Sequence, residues 1–446
     1  MASLLRDARD ALRHLMIARD NMVAAWPKSY YRREMIVEKL LGRRLVIVNL
    51  PAGVQHVLVS HADRYPKSPS NDQALRTLLG QGLFVSEGPL WLRQRRAVTP
   101  AVHTGRLPGY AAAIVQAGEE MLARWRARPA GFEVDVTEDF TLLTAEIISR
   151  IMFGFRLGEK VHELFDAFAA YQASHGRVHM AELLGLPNWL PRPSRLRGRR
   201  AVARFDRVIM EIIAAGRARN VTDFEEFLAL LINFRDEQGR PMDPSLVRDE
   251  VASIFLAGHE TTAITLGWAS WLLETHPAVE ERLVAEVRHV LGSRAPTIED
   301  YPRLTYTRAV VEETLRLYPP VHVFSRRATA DDEIAGVKIP RGTFVTISSW
   351  VLHRHKLWWE APEKFDPERF LPPRAEKNER FAYIPFGAGP RICLGKHLGL
   401  MEAVLLLAMI VRDWRLTLRP GHPVEPLGRM TLRPRLGLPM RIAPRP

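Results

Sequence analysis

The chain has 446 residues, 47% of them hydrophobic and 25% charged, which is enough apolar material for a large buried core. Its single cysteine excludes an internal disulfide framework and fits a reducing compartment. The net charge of +13, from 63 basic and 50 acidic residues, is spread widely. No zinc-finger spacing or RNA-binding aromatic signature accompanies it, which disfavours nucleic-acid binding.

The N-terminal stretch, residues 1–27, is interrupted by charges every few positions. That excludes the continuous apolar run of a signal peptide or membrane anchor and predicts a cytoplasmic amphipathic helix. Residues 43–60, RRLVIVNLPAGVQHVLVS, carry a β-branched run and a turn, so short strands are expected. In WLRQRR, residues 91–96, Trp91 and Arg95 stand four apart on a predicted helix, with an indole N–H and a guanidinium on one side. Helical periodicity dominates residues 105–318.

One helix is unusually long, from about residue 245 to 275. Asp243 and Pro244 supply its N-cap and first turn, and Pro277 follows its end. About 30 residues make it roughly 45 Å long. Val247, Val251 and Ile254 begin a stripe that continues through Gly258, Thr261 and Thr265 to Trp268 and Leu272. Its apolar character breaks only at AGHETT, residues 257–262. Gly258 costs about 1 kcal/mol relative to alanine. Thr261 and Thr262 are β-branched, and Glu260 adds a carboxylate. Glycine, acid and alcohol together predict a local widening of the helix, as at functional π-bulges. A solvated patch on a surface helix is the competing reading.

In EETLRLYPP, residues 312–320, Arg316 shares a helix face with both Glu312 and Glu313, and spacing does not choose between them. Residues 319–392 are rich in Pro and Gly, with short strands such as TFVTISSW, and FDPERF at 365–370 contributes Arg369. FGAGPRICLG, residues 386–395, sets the lone Cys393 among three glycines and a proline. A buried apolar filler needs no such loop; a sulfur aimed at a ligand does. A last helix covers residues 397–414, and a Pro-rich tail with strand-like pieces follows. The chain reads as mostly helical with small sheets, in one domain over 1–446.

These segments together resemble the cytochrome P450 family of heme-thiolate monooxygenases, in a soluble bacterial form. The cysteine loop is similar to the family's heme-binding signature, with Phe386, Gly389, Arg391, Cys393 and Gly395 at its fixed positions. Ala257, Gly258, Glu260 and Thr261 match the family's long-helix motif. Glu313 and Arg316 match its Glu-x-x-Arg motif, Arg369 a Pro-Glu-Arg-aromatic motif, and Trp91 and Arg95 a Trp-x-x-x-Arg motif. The five motifs run in family order over nearly the whole chain.

The resemblance implies the cytochrome P450 fold, with heme b between the long helix and the cysteine loop. It implies Cys393 as the thiolate ligand to iron, Phe386 beside the sulfur, and Gly395 letting the next helix start near the ring. Ala257 faces the heme. Trp91, Arg95, Arg391 and Arg326, preferred over Arg327, hold the propionates. Glu313, Arg316 and Arg369 form a buried structural triad. Glu260 and Thr261 deliver protons during reductive activation of O2. Phe84, Val85, Val321, Val323, Phe324, Met430 and Thr431 line a mostly apolar pocket, which implies a hydrophobic substrate. Residues 170–200, with the basic cluster 192–200, form an access lid or a solvated loop. The chain ends soon after the last helix, so the expected electron source is a separate ferredoxin with its NAD(P)H-dependent reductase. It would dock near Arg93, Arg96 and Lys396 on the thiolate face. A heme-thiolate sensor without turnover and an H2O2-driven peroxygenase are the alternatives. The Glu260–Thr261 pair counts against both.

Overall fold

The structure is a computed structural model that describes residues 16–445 except 41–42, 69–74, 155, 157, 176–192 and 219–226. Most of the expected N-terminal helix and of the expected lid therefore lies outside the described residues. Residues 16–20 are helical, and so are 193–200, where the basic cluster opens a helix instead of a loop.

The chain begins with a hairpin of β1 (Met35–Leu40) and β2 (Arg43–Val48). The strands expected beyond Val48 are absent. Pro51 opens helix α1 (Pro51–Gln55), and helical winding continues to Ser60. Val54, Val57 and Leu58 recur at helical spacing and bury one face, which overrides their β-branched preference. Then come α2 (Gly88–Val98), α3 (Leu107–Arg126), β3 (Phe132–Asp135), α4 (Val136–Phe153), α5 (Glu159–His175), α6 (Pro193–Ala218) and α7 (Phe227–Asn233). The long helix is α8 (Pro244–Thr275), followed by α9 (Pro277–Leu291) and α10 (Thr305–Leu317). Next are β4 (Phe324–Arg327), β5 (Asp332–Ile334), β6 (Val337–Ile339), β7 (Phe344–Ile347), α11 (Ser349–Leu352) and α12 (Lys396–Asp413). The chain finishes with β8 (Trp414–Leu418), β9 (Pro426–Gly428), β10 (Leu432–Pro434) and β11 (Pro439–Pro444).

The sheets are small. One has the order β1-β2-β7-β4, with β2 and β7 parallel and the other pairs antiparallel. A second runs β3-β11-β8, and β5–β6 and β9–β10 are two-stranded.

Helix α8 organises the interior. The Asp243 side chain accepts from the Ser245 N–H at 2.8 Å and caps its start. Its 32 residues give a length of about 48 Å. Its first half, from Leu246 to Leu256, packs into one hydrophobic core with α4, α5 and α6. Its second half, from Ala263 to Leu273, packs into another with α3, α9, α10 and α12. The AGHETT segment falls between the two cores. Helix α12 is buried nearly all round, as expected of a helix apolar on every face. Among the described residues no helix is long and apolar enough to cross a membrane.

The expected widening at AGHETT does not occur; α8 is α-helical throughout. Thr261 and Thr265 donate their hydroxyls to the carbonyls one turn back, Ala257 at 3.0 Å and Thr261 at 2.8 Å, while the helix continues. Gly258 has a packing reason instead. A Cβ there would stand 2.7 Å from Ile148 Cδ1 on α4, and Thr144 of α4 donates to the His259 carbonyl at 2.8 Å. The glycine lets two helices touch.

Candidate active site

A cavity of about 750 Å3 opens between α8 and the cysteine loop. Its floor is the loop before α12. Gly389 takes φ +69°, and a Cβ there would sit 1.9 Å from the Leu58 carbonyl oxygen, so only glycine fits against the end of the α1 winding. The Cys393 N–H donates to the Phe386 carbonyl at 2.9 Å, which closes the loop. The sulfur is exposed, but to the cavity. Burial from bulk water pushes the thiol up, while the Gly395 N–H, Arg95 and Lys396 pull it back down. Gly395 is the N-cap of α12, so the positive end of that helix lies beside the sulfur.

The cations expected around the heme propionates line this cavity. Arg95 donates to the Ile392 carbonyl at 2.9 Å, and desolvation lowers its pKa. The Arg391 guanidinium lies 3.9 Å from the centre of the Trp91 ring and donates to the Ser86 carbonyl at 2.9 Å. It also pairs with Glu87, a partner 304 positions away that nothing local in the sequence announces. Strand alternation separates the two candidates of β4. Arg326 is buried and lines the cavity, whereas Arg327 is exposed over the Phe344 ring.

Across from the sulfur, α8 presents Ala257, Glu260 and Thr261. Glu260 is held by residues from two other elements. Gln172 of α5 donates to its Oε1 at 2.6 Å and Thr431 at 3.0 Å. Arg433 in turn donates to Gln172 Oε1 at 2.7 Å. Burial raises the Glu260 pKa, opposed by Gln172, Thr431 and Arg433. The Thr261 hydroxyl donates to its own helix, so acid and alcohol do not bond each other. On the other side of α8, Thr262 donates to Glu402 of α12 at 3.4 Å. Glu402 is buried, one of its oxygens has no partner among the described residues, and desolvation pushes its carboxyl up to about 8. Neither Gln172, Arg433 nor Glu402 carries a sequence signal; only contacts made by folding select them.

Of the expected pocket residues, Phe84, Val321, Val323, Phe324, Met430 and Thr431 line the cavity. Val85 does not. It is 0% exposed in the core beside α2: the turn closed by the Val85 and Ser86 amides on the Gly82 carbonyl sends Val85 into the core, and Phe84 takes the cavity side. Glu313 pairs with Arg316 at 2.6 Å, with Arg369 at 3.4 Å, and Glu312 turns instead to Arg308 at 3.2 Å. Two of the three cations expected at the docking face are already paired: Arg93 with Asp236 at 3.3 Å and Arg96 with Glu237 at 2.5 Å. Lys396 starts α12, half-buried.

The donor set suits a heme. One sulfur faces the cavity, apolar side chains form its walls, and arginines with an indole gather at one rim for the carboxylates of the ring edge.

The sequence matches the Cytochrome P450 family over residues 15–438. Cyclooctatin synthase of Streptomyces melanosporofaciens is 36% identical over 413 residues, 92% of this chain and 88% of that protein. Cyclooctat-9-en-7-ol 5-monooxygenase of the same organism is 36% identical over 389 residues, 86% of this chain and 83% of its own. A cytokinin hydroxylase of Arabidopsis thaliana is 30% identical over 427 residues, with 94% and 82% covered. Among solved structures, the cytochrome P450DA heme domain superposes with a TM-score of 0.81 at 26% identity, covering 93% of this chain and 90% of that one. The chain therefore belongs to the cytochrome P450 family and is a heme-dependent monooxygenase acting on a hydrophobic substrate.

Proposed function

We propose that this monooxygenase holds heme b through Cys393 and oxidises a bulky, mainly alicyclic alcohol, with electrons from a ferredoxin. The observation that carries the reading is that the only thiol of the chain opens into the same cavity as Glu260 and Thr261. When bound, heme supplies the one-electron and O2 chemistry. The chain's own residues do the rest. The Gly395 N–H and the start of α12 favour the thiolate form of Cys393. Trp91, Arg95, Arg391 and Arg326 would hold the propionates of the bound heme. Ala257 and Phe386, which line the cavity, would contact the ring. Glu313, Arg316 and Arg369 keep the fold around the thiolate side and take no part in the chemistry.

Burial disfavours the charged form of the Glu260 carboxyl, so the group binds a proton more readily than an exposed carboxylate does. Gln172 and Thr431 fix one of its oxygens. The Thr261 hydroxyl lines the cavity and donates to the Ala257 carbonyl, which leaves its oxygen able to accept from a water placed for proton transfer from Glu260. The wall of Phe84, Val321, Val323, Phe324 and Met430 is apolar and excludes bulk water, with Thr431 its polar exception. One relative is named for an alcohol substrate, cyclooctat-9-en-7-ol, and shares 36% identity, which supports the alcohol class here. The lone cysteine supports a cytoplasmic setting.

The test is spectral. The reduced protein with CO should show the red-shifted Soret band of thiolate ligation, and Cys393→Ser should lose it. Titration with bulky alicyclic alcohols should shift the ferric Soret band. A histidine-type CO spectrum in the wild type would overturn the ligand assignment. Preference for linear acids over cyclic alcohols would overturn the substrate class.

A further inference from the structure

Two adjacent acids of α8, Asp249 and Glu250, lie about two turns before Ala257 and take no part in the site described above. They grip the loop that carries Phe84. The Gln81 N–H donates to Asp249 Oδ2 at 2.7 Å, and the Leu83 N–H donates to Glu250 Oε2 at 3.2 Å. From the other side, Gln94 of α2 donates to the Gln81 carbonyl at 2.6 Å, and Arg76 donates to the Val85 carbonyl at 2.9 Å. The approach is close: a Cβ on Gly82 would stand 2.1 Å from Ser253 Oγ and 2.5 Å from the Asp249 carbonyl oxygen.

Glu250 is 0% exposed, and its Oε1 has no hydrogen-bond partner among the described residues. A charge there would have no compensation. Asp249 has an arginine partner, Arg248 at 2.9 Å; Glu250 has no ion pair among the described residues. Burial, with Asp249 beside it, pushes the Glu250 carboxyl up to about 8, so it is mostly neutral near pH 7. A neutral acid buried at this point acts as a hydrogen-bond acceptor for the loop.

The loop's side chains turn this grip into a position for one ring. Leu83 and Val85 are buried, at 8% and 0% exposure. Phe84 between them is 44% exposed and faces the cavity, with Lys67 Nζ 5.2 Å from its ring centre. Moving the Gln81 and Leu83 amides moves that ring.

We propose that Glu250, together with Asp249, is a positioning residue for the reaction: through the Gln81 and Leu83 amides it sets where Phe84 stands in the pocket, and so which C–H of a bulky substrate is oxidised. The inference rests on the cavity being the substrate pocket. It predicts that a change on α8, outside the pocket, alters product distribution only while Phe84 is present.

The experiment uses the heme-loaded full chain with adamantan-1-ol as probe, driven by H2O2 so that no redox partner enters. Hydrogen–deuterium exchange of the peptide 80–86 and the ratio of hydroxylated products are read together. Glu250→Leu strips the acceptor from Leu83, and exchange there should rise about tenfold. The product ratio should change about threefold or more. Glu250→Gln keeps a neutral acceptor and should restore both readings to within about twofold of wild type. Phe84→Ala should change the ratio by itself, and adding Glu250→Leu to it should change the ratio no further. Gly82→Ala displaces the same loop and should reproduce the Glu250→Leu distribution, which keeps the test alive if Glu250→Leu does not fold. The proposal is overturned if Glu250→Leu leaves both readings near wild type, or shifts the ratio equally with and without Phe84. A wild type whose Soret band does not respond to adamantan-1-ol or to other bulky alcohols would overturn the pocket reading, and the inference with it, whatever the exchange data show.

Discussion

Replacing Arg316 with methionine tests whether the buried ion cluster holds the fold. Arg316 is 0% exposed. It donates to Glu313 through Nε at 2.6 Å and Nη2 at 2.8 Å. It also donates to the carbonyls of His353 at 2.7 Å, Pro362 at 2.7 Å and Lys364 at 3.1 Å. The guanidinium thus ties α10 to the chain before Arg369. Methionine fills much of the volume but leaves the Glu313 carboxyl buried without its main cationic partner, where it is costly whether it stays charged or takes up a proton. Arg369 Nε, at 3.4 Å without hydrogen-bond geometry, does not replace it. Breaking one side of a buried pair costs about 3–5 kcal/mol. Against a total stability of about 5–15 kcal/mol, that is a large share. Urea unfolding followed by circular dichroism, with linear extrapolation to water, reads the loss. The double variant Glu313→Leu/Arg316→Met removes the stranded carboxyl and should recover part of it. A loss below about 1 kcal/mol, the worth of an exposed pair, would refute the reasoning.

Thr261→Ala should keep heme and substrate binding but release H2O2 and lower product formed per NAD(P)H consumed, with Glu260→Gln slowing turnover alongside. Unchanged coupling in both would sink the proton-delivery role. Glu402, raised by burial to about 8, binds its proton more tightly folded than unfolded. Its contribution is therefore fully present below the ordinary carboxylate range and is lost as pH rises toward about 8. Glu402→Gln should flatten the fall in melting temperature across that window, and parallel wild-type and variant curves would contradict it. Ferredoxin-supported turnover should fall steeply with salt, since screening lengths shrink from about 10 Å at 0.1 M to about 3 Å at 1 M, while peroxide-driven turnover should not. Lys396→Glu should raise the apparent ferredoxin KM more than Arg96→Glu, because Arg96 is already paired with Glu237; equal effects would move the docking site.

What was legible in the sequence follows the range of the interactions involved. Helix α8 was expected over 245–275 and spans Pro244–Thr275, because its cap, its first-turn proline and its stripe are all local. The stretch after Val48 reads as strand because Val54, Val57 and Leu58 look like one by composition. Their spacing and Pro51 make them a helix whose buried face the rest of the fold supplies. Gly258 reads from the sequence as a site of helix distortion, yet it exists for Ile148, a residue 110 positions earlier that only tertiary packing brings alongside.

The same distinction runs through the site. Cys393, Glu260 and Thr261 could be picked out because each sits in a short motif whose spacing fixes its geometry. Their partners could not: Gln172 reaches Glu260 across 88 positions and Glu87 reaches Arg391 across 304. Charge shows the limit most clearly. A net charge of +13 reads from the sequence as a surface for an acidic partner. Yet Arg95, Arg326 and Arg391 line the cavity. Part of the excess charge therefore faces inward, where it can meet the carboxylates of a cofactor. Part of what faces outward, at Arg93 and Arg96, is cancelled by Asp236 and Glu237. The field available to an approaching donor is accordingly weaker than the sequence total implies. Of the three cations expected at the thiolate face, Lys396 makes no ion pair among the described residues, but its charge acts on Glu312 and Cys393, so the proposed docking would depend mainly on it.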